Sequence, residues 1–172
     1  MTHPQRNILI GLALLLTGCA VNPQKSKTTE GSGNDRVRER KVVKTTAYTD
    51  SESGHRCYGV KNAIGSQLQS GSINSAAADW SHFPVGTKFR IVDNDTTYVV
   101  DDYGPALVGT DTIDLYVTSR RMMNQWGARR VSIEVLEKGS YERSLEVLKP
   151  RQRSWYARQM VKNIQQRIET RY

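Results

Sequence analysis

From residue 41 onward, apolar and polar positions alternate along the chain in short runs. "KVVKTTAY" (41–48) is rich in β-branched residues, which predicts a strand. In "TKFRIVD" (87–93), Phe89 and Ile91 alternate with polar residues, as in a half-buried strand. "NDTTYVVDD" (94–102) follows across a short Asn-Asp turn, so these two runs predict a hairpin. "TIDLYV" (112–117) and "RVSIEVL" (130–136) read as two further strands. Between them, "TSRRMMNQWG" (118–127) opens on a Ser/Thr cap, carries an apolar face of Met122, Met123 and Trp126, and stops at Gly127. That pattern predicts a short helix. Many short strands joined by Gly-rich turns predict a small β-barrel or sandwich. No internal repeat is visible.

After Gly139 the period changes. "PRQRSWYARQMVKNIQQRIETRY" sets Trp155, Met160 or Val161, Ile164 and Ile168 near one helical face, with Pro150 suited to the first turn. Arg and Lys cover the other face. Such a helix suits a membrane or nucleic-acid surface, or packs its stripe on its own domain; packing is the expectation.

At the other end, Ile8 to Leu16 is an apolar run preceded by Arg6. It is shorter than the roughly 20 residues a spanning helix needs, and it fits the core of a signal peptide. "LTGC" (16–19) matches the lipobox of bacterial lipoproteins, in which Cys19 is lipidated and cleavage falls just before it. Several acyl chains make a stable anchor. Ala20, rather than Asp, resembles the pattern sorted to the outer membrane of Gram-negative cells. From Val21 to about Arg40 the chain is polar and reads as a linker. The expected organisation is a signal peptide (1–18), a lipidated linker (19–40), a barrel domain (41–138) and a basic helical extension (139–172). The expected location is the cell envelope, facing the periplasm if the cell is Gram-negative.

The chain has 172 residues, enough for one domain plus tails, and a formal charge of +8. That charge draws it towards polyanions such as nucleic acid, anionic lipid or an acidic cell-wall polymer. The signal peptide and the lack of recognition motifs argue against nucleic acid. The lipobox uses one of the two cysteines, leaving Cys57 without an intrachain disulfide partner. "HRC" (55–57) has no ligand cluster around it in sequence, so no metal is expected and Cys57 reads as a packed small residue. No phosphate loop or dinucleotide motif is present, and no cofactor is expected. Ser81 and His82 lack the context of a hydrolase nucleophile.

The carboxylates bring in chemistry. "DDYGPALVGTDTIDLY" (101–116) holds Asp101, Asp102, Asp111 and Asp114 among glycines and β-formers, although acids are poor strand residues and are seldom buried unpartnered. Asp114 lies between Ile113 and Leu115 and so points to the opposite face from them. If those two face the core, Asp114 lines the outside or a groove; if it points inward, its pKa must rise or its charge be compensated. Asp79 and Asp102 lie near Pro and Gly, where turn-capping is an equal alternative.

"AAADWSHFPVGTKF", "YVVDDYGPALVGTDTIDLYV" and "QWGARRVSIEVL" resemble the three-aspartate (3D) domain, a family related to the C-terminal part of membrane-bound lytic transglycosylase A. The resemblance covers about residues 41–136 and puts Asp79, Asp102 and Asp114 at the family's three acid positions. Gly65 in "NAIGS" falls where the family has a Thr-Ala-Ser-Gly turn, but the Thr-Ala-Ser is absent. "GTDTID" carries a residue more than the family has between its second and third acids, and Asp111 lies inside that insertion.

The fold this resemblance implies is mainly β: a six-stranded double-psi β-barrel with a groove across it. The implied activity is lytic cleavage of the β-1,4 bond between N-acetylmuramic acid and N-acetylglucosamine in peptidoglycan, giving a 1,6-anhydro product. One carboxyl serves as acid and then as base. Asp114 is the expected acid/base, Asp102 orients it or shifts its pKa, and Asp79 fixes the groove loop or binds sugar. Tyr48, Lys88 and Trp80 are candidate glycan contacts. The alternative is a non-catalytic lipoprotein that binds glycan strands. The expected partners are peptidoglycan strands and, through Cys19, a membrane.

Overall fold

The computed structural model describes residues 39–52 and 59–170. The expected signal peptide, Cys19, almost all of the linker, and Cys57 lie outside the described residues. Six strands form: β1 (Glu39–Tyr48), β2 (Asn74–Ala77), β3 (Lys88–Ile91), β4 (Thr97–Asp102), β5 (Thr112–Tyr116) and β6 (Arg129–Glu137). They close into a barrel in the order β1-β5-β2-β4-β3-β6. Two pairs are parallel, β1 with β5 and β2 with β4; the other four are antiparallel.

This neighbour list has a two-fold symmetry. Exchanging β1 with β4, β2 with β5 and β3 with β6 leaves every pairing and its direction unchanged. Two interlocked halves of three strands each are the connectivity expected of a double-psi barrel. No matching repeat exists in the sequence, so the symmetry belongs to the backbone alone.

The alternating runs form strands because closure buries one face of each. Val43, Phe89, Ile91, Val100, Ile113, Leu115, Val131 and Ile133 fall in one buried cluster. The expected hairpin forms between β3 and β4, with Ile91 N donating to Thr96 O at 2.9 Å. Asp95 takes φ 57° there, a left-handed conformation that Asp tolerates in a tight turn.

β2 departs from expectation. The pattern assigns no strand here, only a loop around Asp79, because Ala has low strand propensity and the run is four residues long. It becomes a strand because β4 and β5 pair with it from both sides.

α1 (Arg120–Trp126) forms where expected, capped by Ser119 and ended at Gly127. Its apolar face is narrower than the pattern suggested. Met122 is exposed, whereas Trp126 packs against the core and its Nε1 donates to Thr45 Oγ1 at 3.2 Å.

The extension comprises two helices, α2 (Tyr141–Leu148) and α3 (Trp155–Glu169), joined through a 3₁₀ turn at Lys149–Arg151. Pro150 sits in that turn, ahead of α3 rather than within its first turn. Leu148, Ala157, Met160, Val161 and Ile164 join the barrel's core cluster, so the apolar stripe packs on its own domain. Trp155 does not belong to that stripe: it is 56% exposed. The extension leaves the barrel at Gly139, where a Cβ would lie 2.2 Å from Pro84 O and 2.4 Å from Val85 O. Only a residue without a side chain allows that approach.

Candidate active site

Ala77 on β2 is the register partner of Asp114 on one neighbour and of Asp102 on the other. The two carboxylates therefore stand at one level on either side of a methyl group. A register shift between Ala76 and Ala77 makes this possible. Regular alternation would set Asp101 opposite Ala77, and the bulge brings up Asp102 instead. Ile113 and Leu115 are fully buried in the core, so Asp114 faces out of the barrel, as the pattern required.

Each acid is held by named donors. Thr46 Oγ1 on β1 donates to Asp114 Oδ1 at 2.7 Å. Tyr48, also on β1, donates its phenol to Asp102 Oδ2 at 3.1 Å. That contact spans β5 and β2, and the small Ala77 leaves it room. Tyr103 N donates to Asp102 Oδ1 at 2.9 Å.

Asp102 and Asp114 line a groove of about 1020 Å³. Tyr48, Glu52, Leu107 and Gly104 share the barrel wall with them. Lys61, Asn62 and Gly65 come from the 61–65 turn, and Arg151, Arg153 and Tyr156 from the extension.

The Asp114 carboxyl is raised from 3.8 to about 6. Burial is the main cause; the Thr46 hydrogen bond opposes it, and the charges of Glu52 and Asp102 add to it. Asp101 is also raised to about 6, by burial first, against hydrogen bonds from Ser75 and Asn62. Its Oδ2 accepts from Ser75 Oγ at 2.7 Å and Asn62 Nδ2 at 2.8 Å, and it does not line the groove. Asp101 thereby ties the 61–65 turn to the barrel. Burial and the Asp102 charge raise the Tyr48 phenol, which stays a neutral donor.

Asp79 lies elsewhere. It is 0% exposed, and its two oxygens accept backbone N–H groups: Oδ1 from Ser81 at 2.8 Å, Oδ2 from Gly109 at 2.7 Å. It joins the 79–83 turn to the loop whose residues 104–107 line the groove. Trp80 is also 0% exposed, edge-on to Tyr103 at 4.9 Å, and its Nε1 donates to Asp102 O at 2.8 Å. It supports the site from below and has no face open to a ligand. Lys88 pairs with Glu137 at 2.7 Å between β3 and β6 and does not line the groove. Asp111 lies apart from Asp102 and Asp114. Its side chain is 78% exposed and meets His82 Nδ1 at 2.8 Å, away from the groove. Ser81 is buried, and its hydroxyl has no hydrogen-bond partner among the described residues. No group of three or more metal-ligating side chains occurs among the described residues.

Sequence reasoning missed the second wall of the groove. Arg151 Nη1 donates to Ala63 O at 2.7 Å and to Tyr103 OH at 3.1 Å, and Tyr156 packs on Tyr103 at 5.9 Å. The basic "PRQRS" run was visible, but its place beside the acids depends on how α3 docks.

Neither a protein-family model nor a curated protein matches the chain. Among solved structures it is similar to the crystal structure of MltA from E. coli, at 25% identity and a TM-score of 0.36. The match covers 46% of this chain and 28% of that one. A likeness of that strength is too weak to carry fold or function across.

Proposed function

We propose that this chain is a lytic transglycosylase of the cell envelope, held there through lipid on Cys19, which cleaves the β-1,4 bond between N-acetylmuramic acid and N-acetylglucosamine in peptidoglycan. The observation that carries this reading is Asp114: a carboxyl raised to about 6, on the wall of an open groove, beside a second carboxylate. The resemblance of its surroundings to the 3D domain supplies the substrate.

With that pKa, about a tenth of the Asp114 carboxyls are protonated at pH 7. The protonated form donates to the glycosidic oxygen as the C1–O bond breaks and positive charge develops at C1. The C6 hydroxyl of the same muramic residue then closes on C1, and its proton returns to Asp114. No water is consumed, and the carboxyl ends in its starting state. Burial keeps the Asp114 proton affinity high, and Asp102, oriented by Tyr48 and Tyr103, adds to it. Asp79 fixes the loop that shapes the groove.

The test compares the full chain, purified in detergent, with Asp114→Asn on isolated peptidoglycan, with products read by mass spectrometry. Anhydro-ended fragments from the parent alone support the reading. Hydrated ends identify a hydrolase and overturn the anhydro mechanism. Intact peptidoglycan retained by both versions replaces the enzyme with a strand-binding envelope lipoprotein.

A further inference from the structure

The groove has two walls of opposite sign. Asp102, Asp114 and Glu52 lie on one, and Lys61, Arg151 and Arg153 on the other. Elsewhere on the surface some basic side chains meet carboxylates, as Lys41 meets Glu39 at 3.0 Å and Lys88 meets Glu137 at 2.7 Å, while others such as Lys162 stand in solvent outside the groove. In the groove, none of the three cations is ion-paired with a carboxylate among the described residues. Arg151 is fixed by Ala63 O and Tyr103 OH, which occupy Nη1 and leave the rest of its fork. Arg153 accepts Arg158 Nη1 at 3.0 Å through its backbone oxygen, so its segment is held while its side chain stays exposed. Lys61 is exposed on the turn that Asn62 ties to Asp101.

Three cations lining one groove, one of them fixed by hydrogen bonds and two on held segments, offer a polymer lying there a place for an anion. A neutral sugar chain brings none. We propose that Lys61, Arg151 and Arg153 form an anion subsite that takes a carboxylate carried on the muramic acid residues of the bound strand. That carboxylate belongs either to the lactyl group itself or to the peptide stem attached to it. The inference rests on the reading that the groove holds a glycan strand. It adds that the extension beyond residue 139, outside the 3D resemblance, selects muramic strands over neutral ones.

Binding of the full chain carrying Asp114→Asn, in detergent, is measured against three probes: neutral N-acetylglucosamine oligomers, strands stripped of peptide but keeping the lactyl carboxylate, and peptide-bearing strands. The Asn variant holds strands without cutting them. At least one muramic probe is expected to bind about tenfold tighter than the neutral oligomers, the worth of one charge-assisted contact. Lys61→Gln with Arg153→Gln removes that margin, and Arg153→Lys keeps most of it. Both side chains are exposed, so folding is unaffected, and an unchanged melting curve checks this. Tightening already with stripped strands assigns the lactyl carboxylate; tightening only with peptide-bearing strands assigns the stem. Equal affinity for all three probes overturns the subsite and leaves the glycan groove standing. Failure to bind any of them overturns both.

Discussion

Asp79 and Asp114 occupy two regions of one barrel, and their carboxylates are treated in opposite ways. In the 79–83 turn, both oxygens of Asp79 accept backbone N–H groups, and the side chain is out of water. On the groove wall, the hydrogen bond to Asp114 comes from Thr46, and the charges nearest to it, on Asp102 and Glu52, repel its own. A buried carboxylate that accepts a backbone N–H on each oxygen fastens two pieces of chain together. A carboxyl raised first by burial and then by like charge, against one hydrogen bond, holds a proton towards the neutral range, which general acid catalysis requires. The difference lies in the donors that the surrounding backbone presents, since the residue type is the same.

Substitution separates the two roles. Asp114→Asn is expected to cost about a thousandfold or more in cleavage rate, within the range for loss of a general acid/base. The same change should raise stability at pH 7 by about 1–2 kcal/mol, because the ionised carboxyl is what burial penalises. Its folded pKa of about 6 lies above the ordinary 3.8, so between those values the folded state holds a proton that the unfolded chain has released. Stability therefore falls as pH rises through that window. Thermal melts at pH 4 and pH 7 check the sign: the advantage of the Asn variant appears at the higher pH and vanishes at the lower. A variant melting below the parent at pH 7 would contradict the assignment of burial as the cause.

Asp79→Ala is expected to do the reverse. It strands two buried N–H donors and should cost about 2–4 kcal/mol of stability, read from chemical denaturation. Cleavage per folded molecule should survive far better than in Asp114→Asn. Loss of all cleavage in a folded Asp79→Ala protein would place Asp79 in the chemistry.

Smaller effects sharpen the contrast. Above about pH 6, the cleavage rate should fall about tenfold per pH unit as the Asp114 proton is lost, while ligand retention by the Asn variant stays flat. Tyr48→Phe removes the phenol from Asp102 and should lower the rate about three- to tenfold with little change in melting temperature. At the anchor, Ser81→Ala removes a buried hydroxyl that has no hydrogen-bond partner among the described residues and keeps the backbone N–H of the turn, so the rate should stay the same and the melting temperature should not fall.

Period and punctuation along the chain disclosed β1, β3 to β6 and α1, because each buries one face and stops at turn residues. They did not disclose β2, whose Asn-Ser-Ala-Ala has no strand preference of its own and is made a strand by two neighbours. The alternation opposed Asp114 to Ile113 and Leu115 but left open which of them faced the core; closure of the barrel buries the two apolar residues and turns Asp114 out. Nor could the alternation show that Asp102, rather than Asp101, would meet Asp114, since that exchange depends on a one-residue bulge. Trp80 looked like a sugar platform beside an acid, and three-dimensional packing turned it inward. The cationic wall was present in the sequence as a basic run, but nothing local to that run says which groove it borders.

The two-fold exchange of strands also governs the order in which the molecule is built. Every strand pair joins one of β1, β2 and β3 to one of β4, β5 and β6; no pair lies within either set. A chain emerging from its N-terminus can close no sheet until β4 has followed β3, and the groove acids meet only once β5 has threaded between β1 and β2. Cut at the 94–95 turn, the domain would give two pieces, each without a partner strand of its own. Each half is thus the template for the other, and the acid pair exists only as a product of their meeting.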